Sequence, residues 1–485
     1  MTQTHILLLI LSIIPFLNCA STLGFFGFSK PFKLSSRITP ILFFIVLFSL
    51  HQTLLDDRSS FVFLALSTDI SLAFGVDKNS LNYLFLFNLI WVIFAFYSDR
   101  FLKIKKVSDV KSFNIFAALA IAITNLMIIS DNFLTILFFY YFLMILRYFF
   151  ASKFFFKKGD KTSILSLTIV CLEPILLFIA IFLTYHLLGD FDFSKTVISS
   201  TSASLSQYII IFSLYFIGLF LSFLAPLYLL KRDIKCDPVI TYALFFLSAA
   251  LSSFYIFTKL LGTIFKVDEA SVLELKNYFI YFEYAFLLII IPLSVLLILS
   301  KGIKSSFIYL VFHQVIMSLF VIITFFTYQP HLIFTSLVSS YLSITLLFLC
   351  LSNLVIYLSH SENKDLKGLF YNFKITISCL LFALLSLIGL VPGVSAIVNF
   401  HLIKIILEEG LLISGLVLII NIISILILAW KILYPLFLKS YQEERLDVDI
   451  ELAKNIDRDS SLISTILVTT LAMILLIIPF FNTFL

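Results

Sequence analysis

The sequence predicts an all-α polytopic membrane protein of about 14 transmembrane helices, and three observations carry that prediction. The chain of 485 residues is 61% hydrophobic and 13% charged, where an ordinary soluble domain is about 25% charged. Its mean hydropathy is +1.11. Apolar stretches of the roughly 20 residues that a helix needs to cross a bilayer recur along the whole length. Phe contributes 58 residues, and Ile, Leu, Ser and Lys are heavily used. That bias reads as the codon usage of an AT-rich genome and suits an intracellular bacterium or an organelle.

The apolar segments, in order, are 4–24, 38–55, 80–98, 113–129, 132–151, 163–187, 206–230, 239–261, 277–300, 305–328, 332–358, 373–400, 411–437 and 461–484. Segment 1 lacks a basic flank and no A-x-A site follows it, so it reads as a retained span and not as a cleavable signal. The longest polar connections are 56–79, 188–205, 262–276 and 438–460, which leaves no room for a separate soluble domain. Connections after odd-numbered segments hold 24 of the 33 Lys and Arg, and those after even-numbered segments hold 6. By the excess of positive charge on the inner side, both termini face away from the cytoplasm or matrix. The net charge of +5 is therefore mostly a topology signal.

Two segments carry breaks. Segment 12 contains "SLIGLVPGVSAIVNF" (386–400), with Pro392 and Gly393 at mid-span, and segment 7 contains Ala225-Pro226. Pro removes a backbone donor and Gly weakens a helix. In hydrocarbon such a break survives only against protein or a water-filled cavity. Interrupted helices at matching places in two halves point to an inverted-repeat transporter. The chain thus divides as one membrane domain, 1–485: segments 1–3 over 1–112, a first five-helix repeat over 113–261, a second over 277–437, and segment 14 over 461–484.

Five further stretches, read in order, resemble the antiporter-like subunits of respiratory complex I (L, M and N type) and of multisubunit cation/proton antiporters (A and D type). "LAFGVDKNSLNYLFL" (72–86) resembles F-G-x-D-G-L-S-x-L-F, and "SDNFLTILFFYYFLMILRYFF" (130–150) resembles S-D-N-x-L-T-L-Y-x-F-W-E-L. "LAPLYLLKRDIK" (224–235) resembles L-F-P-L-Y-x-W-L-P-D-S, and "KGIKSSFIYLVFHQV" (301–315) resembles D-I-K-R-L-L-A-Y-S-S-I-S-Q. The stretch at 386–400 resembles S-L-A-G-I-P-P-L-S-G-F-I-G-K-F. Together they cover about residues 70 to 440, and the chain length suits the D, M or N type.

The resemblance implies translocation of protons or monovalent cations (Na+ or K+) within a multisubunit membrane complex, in the bacterial inner membrane or an organelle inner membrane. It also implies buried ionisable residues: a Glu on segment 5, Lys on 7, Lys or His on 8, and Lys or Glu on 12. In this sequence the matching positions fall at Tyr141, Leu221, Ser252 or Ser253, and Asn399. Three positions on segment 11 fall at Ser336, Ser340 and Ile344. Leu and Asn do not titrate, and Tyr is a poor relay near neutrality. A charge at the bilayer centre costs about 2.5–3.5 kcal/mol on insertion scales, so a chain keeps one only where it is used. The family scaffold is expected without the family's charges.

Ionisable groups remain elsewhere. Glu173 (before Pro174), Lys259, Glu283 and His313 are the candidate ion path. Each also has a structural reading. Lys259 and Arg147 would snorkel to the interface, Glu283 would pair with Lys259, and His313 would be a satisfied buried imidazole. His401, Lys404, Glu408 and Glu409, after the second break, would be solvated or would line an exit. The five cysteines, Cys19, Cys171, Cys236, Cys350 and Cys379, form no C-x-x-C pair, so no metal is expected. No nucleotide or haem motif is present, so no catalytic residue, cofactor or nucleic-acid partner is expected. Three functions stay open: a transporting subunit, a non-conducting structural or assembly subunit, and a decaying paralogue.

Overall fold

A computed structural model describes residues 3–23, 32–53, 58–65, 71–104, 110–154, 161–193, 205–224, 252–265, 269–300, 303–329, 332–360, 370, 373–390, 393–438 and 461–481. The helices are α1 (Gln3–Leu23), α2 (Phe32–Thr53), α3 (Lys78–Ile104), α4 (Val110–Ile128), α5 (Phe133–Phe154), α6 (Lys161–Leu188), α7 (Leu205–Leu224) and α8 (252–263). They continue with α9 (Glu269–Leu299), α10 (Ile303–Tyr328), α11 (Leu332–His360), α12 (Lys374–Ile388), α13 (Val394–Glu409), α14 (Leu412–Phe437) and α15 (Ser461–Phe481). Among the described residues, α3, α5, α6, α9, α10, α11 and α14 are each long and apolar enough to cross a bilayer. The chain is a multi-pass integral membrane protein.

Two units, Met1–Val272 and Leu273–Leu485, are each compact. In the first, α1 packs on α2 and α4, and α4 to α7 pack in sequence. The connection 56–79 holds an unexpected antiparallel hairpin, β1 (Arg58–Ala65) with β2 (Ser71–Asp77), irregular between Val62 and Leu64. Its aromatic and β-branched residues fit a pleated surface better than a polar loop.

Two of the stretches that carry the family resemblance act here as helix caps. The Asp77 carboxylate accepts from Ser80 N at 2.6 Å, and the Ser80 hydroxyl accepts from Asp77 N at 2.8 Å, which opens α3. Asn132 Oδ1 accepts from Thr135 N at 2.8 Å and from Thr135 Oγ1 at 2.6 Å, which opens α5. Side chains of this kind satisfy donors that a helix start leaves unpaired. The same turn holds the hairpin: Thr135 Oγ1 accepts from Ala73 N, Asn132 Nδ2 donates to Ser71 O, and Gly75 N donates to Ile129 O at 2.7 Å.

In the second unit α10 and α11 are buried almost throughout, while α9 turns Tyr281, Leu288 and Leu299 outward. Around α11 pack α10, α12, α13 and α15. Segment 12 is two helices, the first ending at Ile388, before the Pro-Gly pair, and the second starting just after it. Gly389 takes φ +84°, and the N–H groups of Gly389 and Leu390 donate to Ser386 O and Leu385 O. That is the Schellman ending, for which a left-handed Gly is the favoured residue. Gly393 then caps α13 in extended conformation. Pro392 lies outside the described residues, as do Ala225 and Pro226, so α7 is described only to Leu224.

Candidate functional site

The first unit places a polar cluster among α5, α6, α7 and α8. Tyr140 and Arg147 are seven residues apart on α5, about two turns, so they share a face. Glu173 on α6 is fully buried, and the Tyr140 hydroxyl donates to its Oε1. Its Oε2 is buried without a hydrogen-bond partner. The Arg147 guanidinium lies within electrostatic reach of that carboxylate. It donates from Nη2 to Ser222 O at 3.0 Å and from Nη1 to Met144 Sδ at 3.1 Å. Ser222 O lies in the last described turn of α7, and the residue four on in sequence, Pro226, has no N–H to bond it. The Ser222 and Ser253 hydroxyls meet at 2.9 Å and join α7 to α8.

Lys259, on α8, does not snorkel. Its Nζ donates to Ser130 O at 2.7 Å and to Tyr255 Oη at 3.0 Å, and stands 4.7 Å from the Phe193 ring centroid. It ties α8 to the turn that caps α5, which is an anchoring role.

In the second unit His313 is fully buried on α10. Its Nε2 meets the Ser294 hydroxyl of α9 at 2.9 Å, and its Nδ1 has no partner. Glu283 lies at the middle of α9, because that helix starts at Glu269 and not at 277. It is buried beside Ser414. Eleven residues separate Glu283 from Ser294, about 16 Å along the helix, so Glu283 does not reach His313.

The helix break is lined by neutral groups. Ser386 Oγ stands 2.7 Å from Ser343 Oγ and 3.1 Å from Ser395 Oγ. Asn399 crosses the break, and its Nδ2 donates to Ile388 O at 3.1 Å. The residue expected in place of a lysine thus closes a carbonyl freed at the end of α12. Ser336 and Ser343 also bond back to their own helix, to Ile333 O and Ser339 O. Ile344 is apolar core.

Several placements differ from expectation. Arg147 is buried and points inward, not to an interface. Tyr141 is only partly buried, near Cys171, and the inward residue of α5 is its neighbour Tyr140. Leu221 is an intermediate apolar residue, while Ser252 and Ser253 are buried. Lys404 pairs with Glu408 at 3.7 Å on an exposed face of α13. Sequence reasoning passed over Tyr140, Ser222, Ser294, Ser386 and Ser395. Hydroxyls in apolar helices leave no charge signal, and only packing reveals their partners. No group of His, Cys, Asp or Glu suited to a metal occurs among the described residues.

No protein-family profile matches the chain, and no curated protein matches it in sequence. Solved structures do. A chain of the Mrp complex from Dietzia sp. DQ12-45-1b aligns at TM-score 0.70 and 13% identity, over 99% of this chain and 56% of that one. A chain of the membrane-bound sulfane sulfur reductase (MBS), an archaeal respiratory membrane complex, aligns at TM-score 0.71 and 14% identity. That alignment covers 96% of this chain and 75% of the other. Across nearly its whole length, the chain has the fold of membrane chains from these two complexes.

Proposed function

We propose that the chain is a membrane subunit of a multisubunit complex that translocates protons or monovalent cations. Such a complex is a cation/proton antiporter, with this chain in the D-type place, or a proton-translocating NADH-quinone oxidoreductase, with it in the M/N-type place. The observation that carries the reading is the shared fold over 96–99% of the chain with chains of two multisubunit membrane complexes. The broken helix at 389–393 adds support, since irregular backbone at membrane depth is characteristic of transport folds. In this reading residues 113–261 and 277–437 are inverted five-helix repeats. The complex sits in a bacterial inner membrane with both termini on the non-cytoplasmic side.

A second reading, a non-conducting structural or assembly subunit, is favoured at one place. Where the family uses a lysine, Asn399 is occupied in closing the helix break and Ser343, Ser386 and Ser395 are neutral. The two candidate path residues of the second unit, His313 and Glu283, do not meet.

The test of complex membership is co-purification of the tagged chain from its native membrane in mild detergent, with mass spectrometry of what accompanies it. NADH-oxidising and iron–sulfur subunits would place it in the oxidoreductase, and small antiporter subunits would place it in an antiporter. Recovery of the chain alone would overturn membership. Conduction is tested in proteoliposomes loaded with a pH-sensitive dye. Flux well above empty vesicles, abolished by His313→Ala or Glu283→Gln, would sink the non-conducting reading.

A further inference from the structure

We propose that Glu173, Tyr140 and Arg147 form an exchangeable proton-binding site in the first unit, with Glu173 as the acceptor and the other two as positioning residues. Of the substituted family positions Ser253 touches the site, through Ser222 and Tyr140, and it is neutral. Glu173 is fully buried, and one of its oxygens is held by a single donor, the Tyr140 hydroxyl. The other oxygen is buried and unpartnered. A carboxylate kept only for structure has its acceptor sites filled. This one is pinned through Oε1 and leaves Oε2 as the atom that takes the proton.

Arg147 accounts for the charge. With the proton absent, the carboxylate is negative in a region of low polarity, and such a charge needs compensation. The guanidinium supplies it from electrostatic range, without a salt bridge to Glu173. With the proton present, Glu173 is neutral and Arg147 stays charged. It keeps its own acceptor, Ser222 O on α7. Arg147 thus has a resting partner in either state, and Glu173 can change charge without leaving a cation stranded.

Among the described residues, the surroundings hold little else that titrates. From α5 the groups facing the carboxylate are Tyr140 and Arg147. Tyr141 is turned toward Cys171. From α7, Tyr215 is bonded to Thr184 at 3.1 Å, and from α8, Ser253 is bonded to Ser222. Lys259, also on α8, is committed to Ser130 O and Tyr255. The use of the site rests on the reading of the chain as part of a proton- or cation-moving complex, while its chemistry rests on these contacts alone.

The test is an infrared titration of the purified full-length chain in detergent or lipid, following the carbonyl stretch of protonated carboxyl groups in H2O and D2O. A D2O-sensitive band should grow reversibly on acidification and be lost in Glu173→Gln. In Tyr140→Phe the band should remain but shift in frequency, because its carbonyl loses a hydrogen bond. In Arg147→Gln it should persist to higher pH, because the charged form has lost its compensating cation. If Arg147→Gln does not fold, the Tyr140→Phe shift carries the test. A wild-type spectrum in which the Glu173→Gln variant removes no titrating band would overturn the proposal. The readout needs no partner subunit, so failure to co-purify a complex and failure of the proton site are separate outcomes.

Discussion

Replacing Gly389 by Ala is the sharpest test of how the second unit closes its broken helix. Gly389 sits at φ +84°, and an added Cβ would lie 1.8 Å from Asn399 Nδ2 and 2.6 Å from Asn399 Cγ. The left-handed backbone alone costs an L-residue about 1–2 kcal/mol. The overlap cannot be absorbed locally, so the Asn399 side chain must swing away and abandon Ile388 O. Leaving that buried acceptor unpaired costs about 1–3 kcal/mol more. The expected loss is therefore about 2–5 kcal/mol. Asn399→Ala alone should cost only the hydrogen bond, about 1–3 kcal/mol. The double variant should be no worse than Gly389→Ala, because the same bond is lost only once. The two effects should thus be non-additive by about 1–3 kcal/mol. Cys350 and Cys379 are buried in this unit, so the onset of their reaction with a thiol-reactive dye on heating reports its opening. The assay is run with the other three cysteines replaced by Ser. Additive losses would refute the idea that Asn399 is displaced by the new methyl. An unchanged Gly389→Ala profile would refute the geometry of the break itself.

Other consequences follow from the same contacts. Asn132→Ala should destabilise the first unit by about 0.5–2 kcal/mol through loss of the α5 cap, read as a lower unfolding temperature in detergent; it also frees Ser71 O. Lys259→Met strips Ser130 O of a donor and removes the cation over Phe193. It should cost about 1–3 kcal/mol of stability and leave proton flux per folded molecule unchanged. A loss of flux beyond the loss of folded protein would return Lys259 to the ion path. Ser386→Ala leaves Ser343 and Ser395 without their shared partner and should cost about 1–3 kcal/mol, seen as earlier labelling of Cys379.

The sequence made the fold class legible because membrane helices write themselves in composition. A run such as "LIFTSLVSSYLSITLLFLCLSNLVIYL" has no polar face to hide, and its length is fixed by the bilayer. The hairpin at Arg58–Ala65 and Ser71–Asp77 was hidden because short strands inside a connection lack that length signal. In segment 12 the Pro392-Gly393 pair marks a break in the sequence, but the left-handed Gly389 that ends its first helix sits in an "IGL" that looks like ordinary helix. Helix lengths also misled: the early start of α9 moves Glu283 to the middle of its helix.

The charged residues divide more instructively than a count of losses suggests. Lys259 and Lys431 both spend their ammonium groups on backbone carbonyls at helix ends, Ser130 O for the first and Ile298 O and Ser300 O for the second. Arg147 likewise donates to a backbone carbonyl, Ser222 O. Carbonyls at helix ends lack helical partners and carry the negative end of the helix dipole, so cations there are structurally useful without moving anything. An anion has no such employment at a helix C-terminus. Glu173 lies in mid-helix, and among the described residues Tyr140 is its hydrogen-bond donor. That asymmetry separates buried cations that hold the fold from a carboxylate whose partners are incomplete. It also explains why substitution at Tyr141, Leu221 and Asn399 does not by itself decide conduction. Charge at those positions could be given up wherever a neutral side chain closes the backbone, as Asn399 does, whereas the buried Glu173 carboxylate with its unmet oxygen carries a cost that the proposed proton exchange would explain.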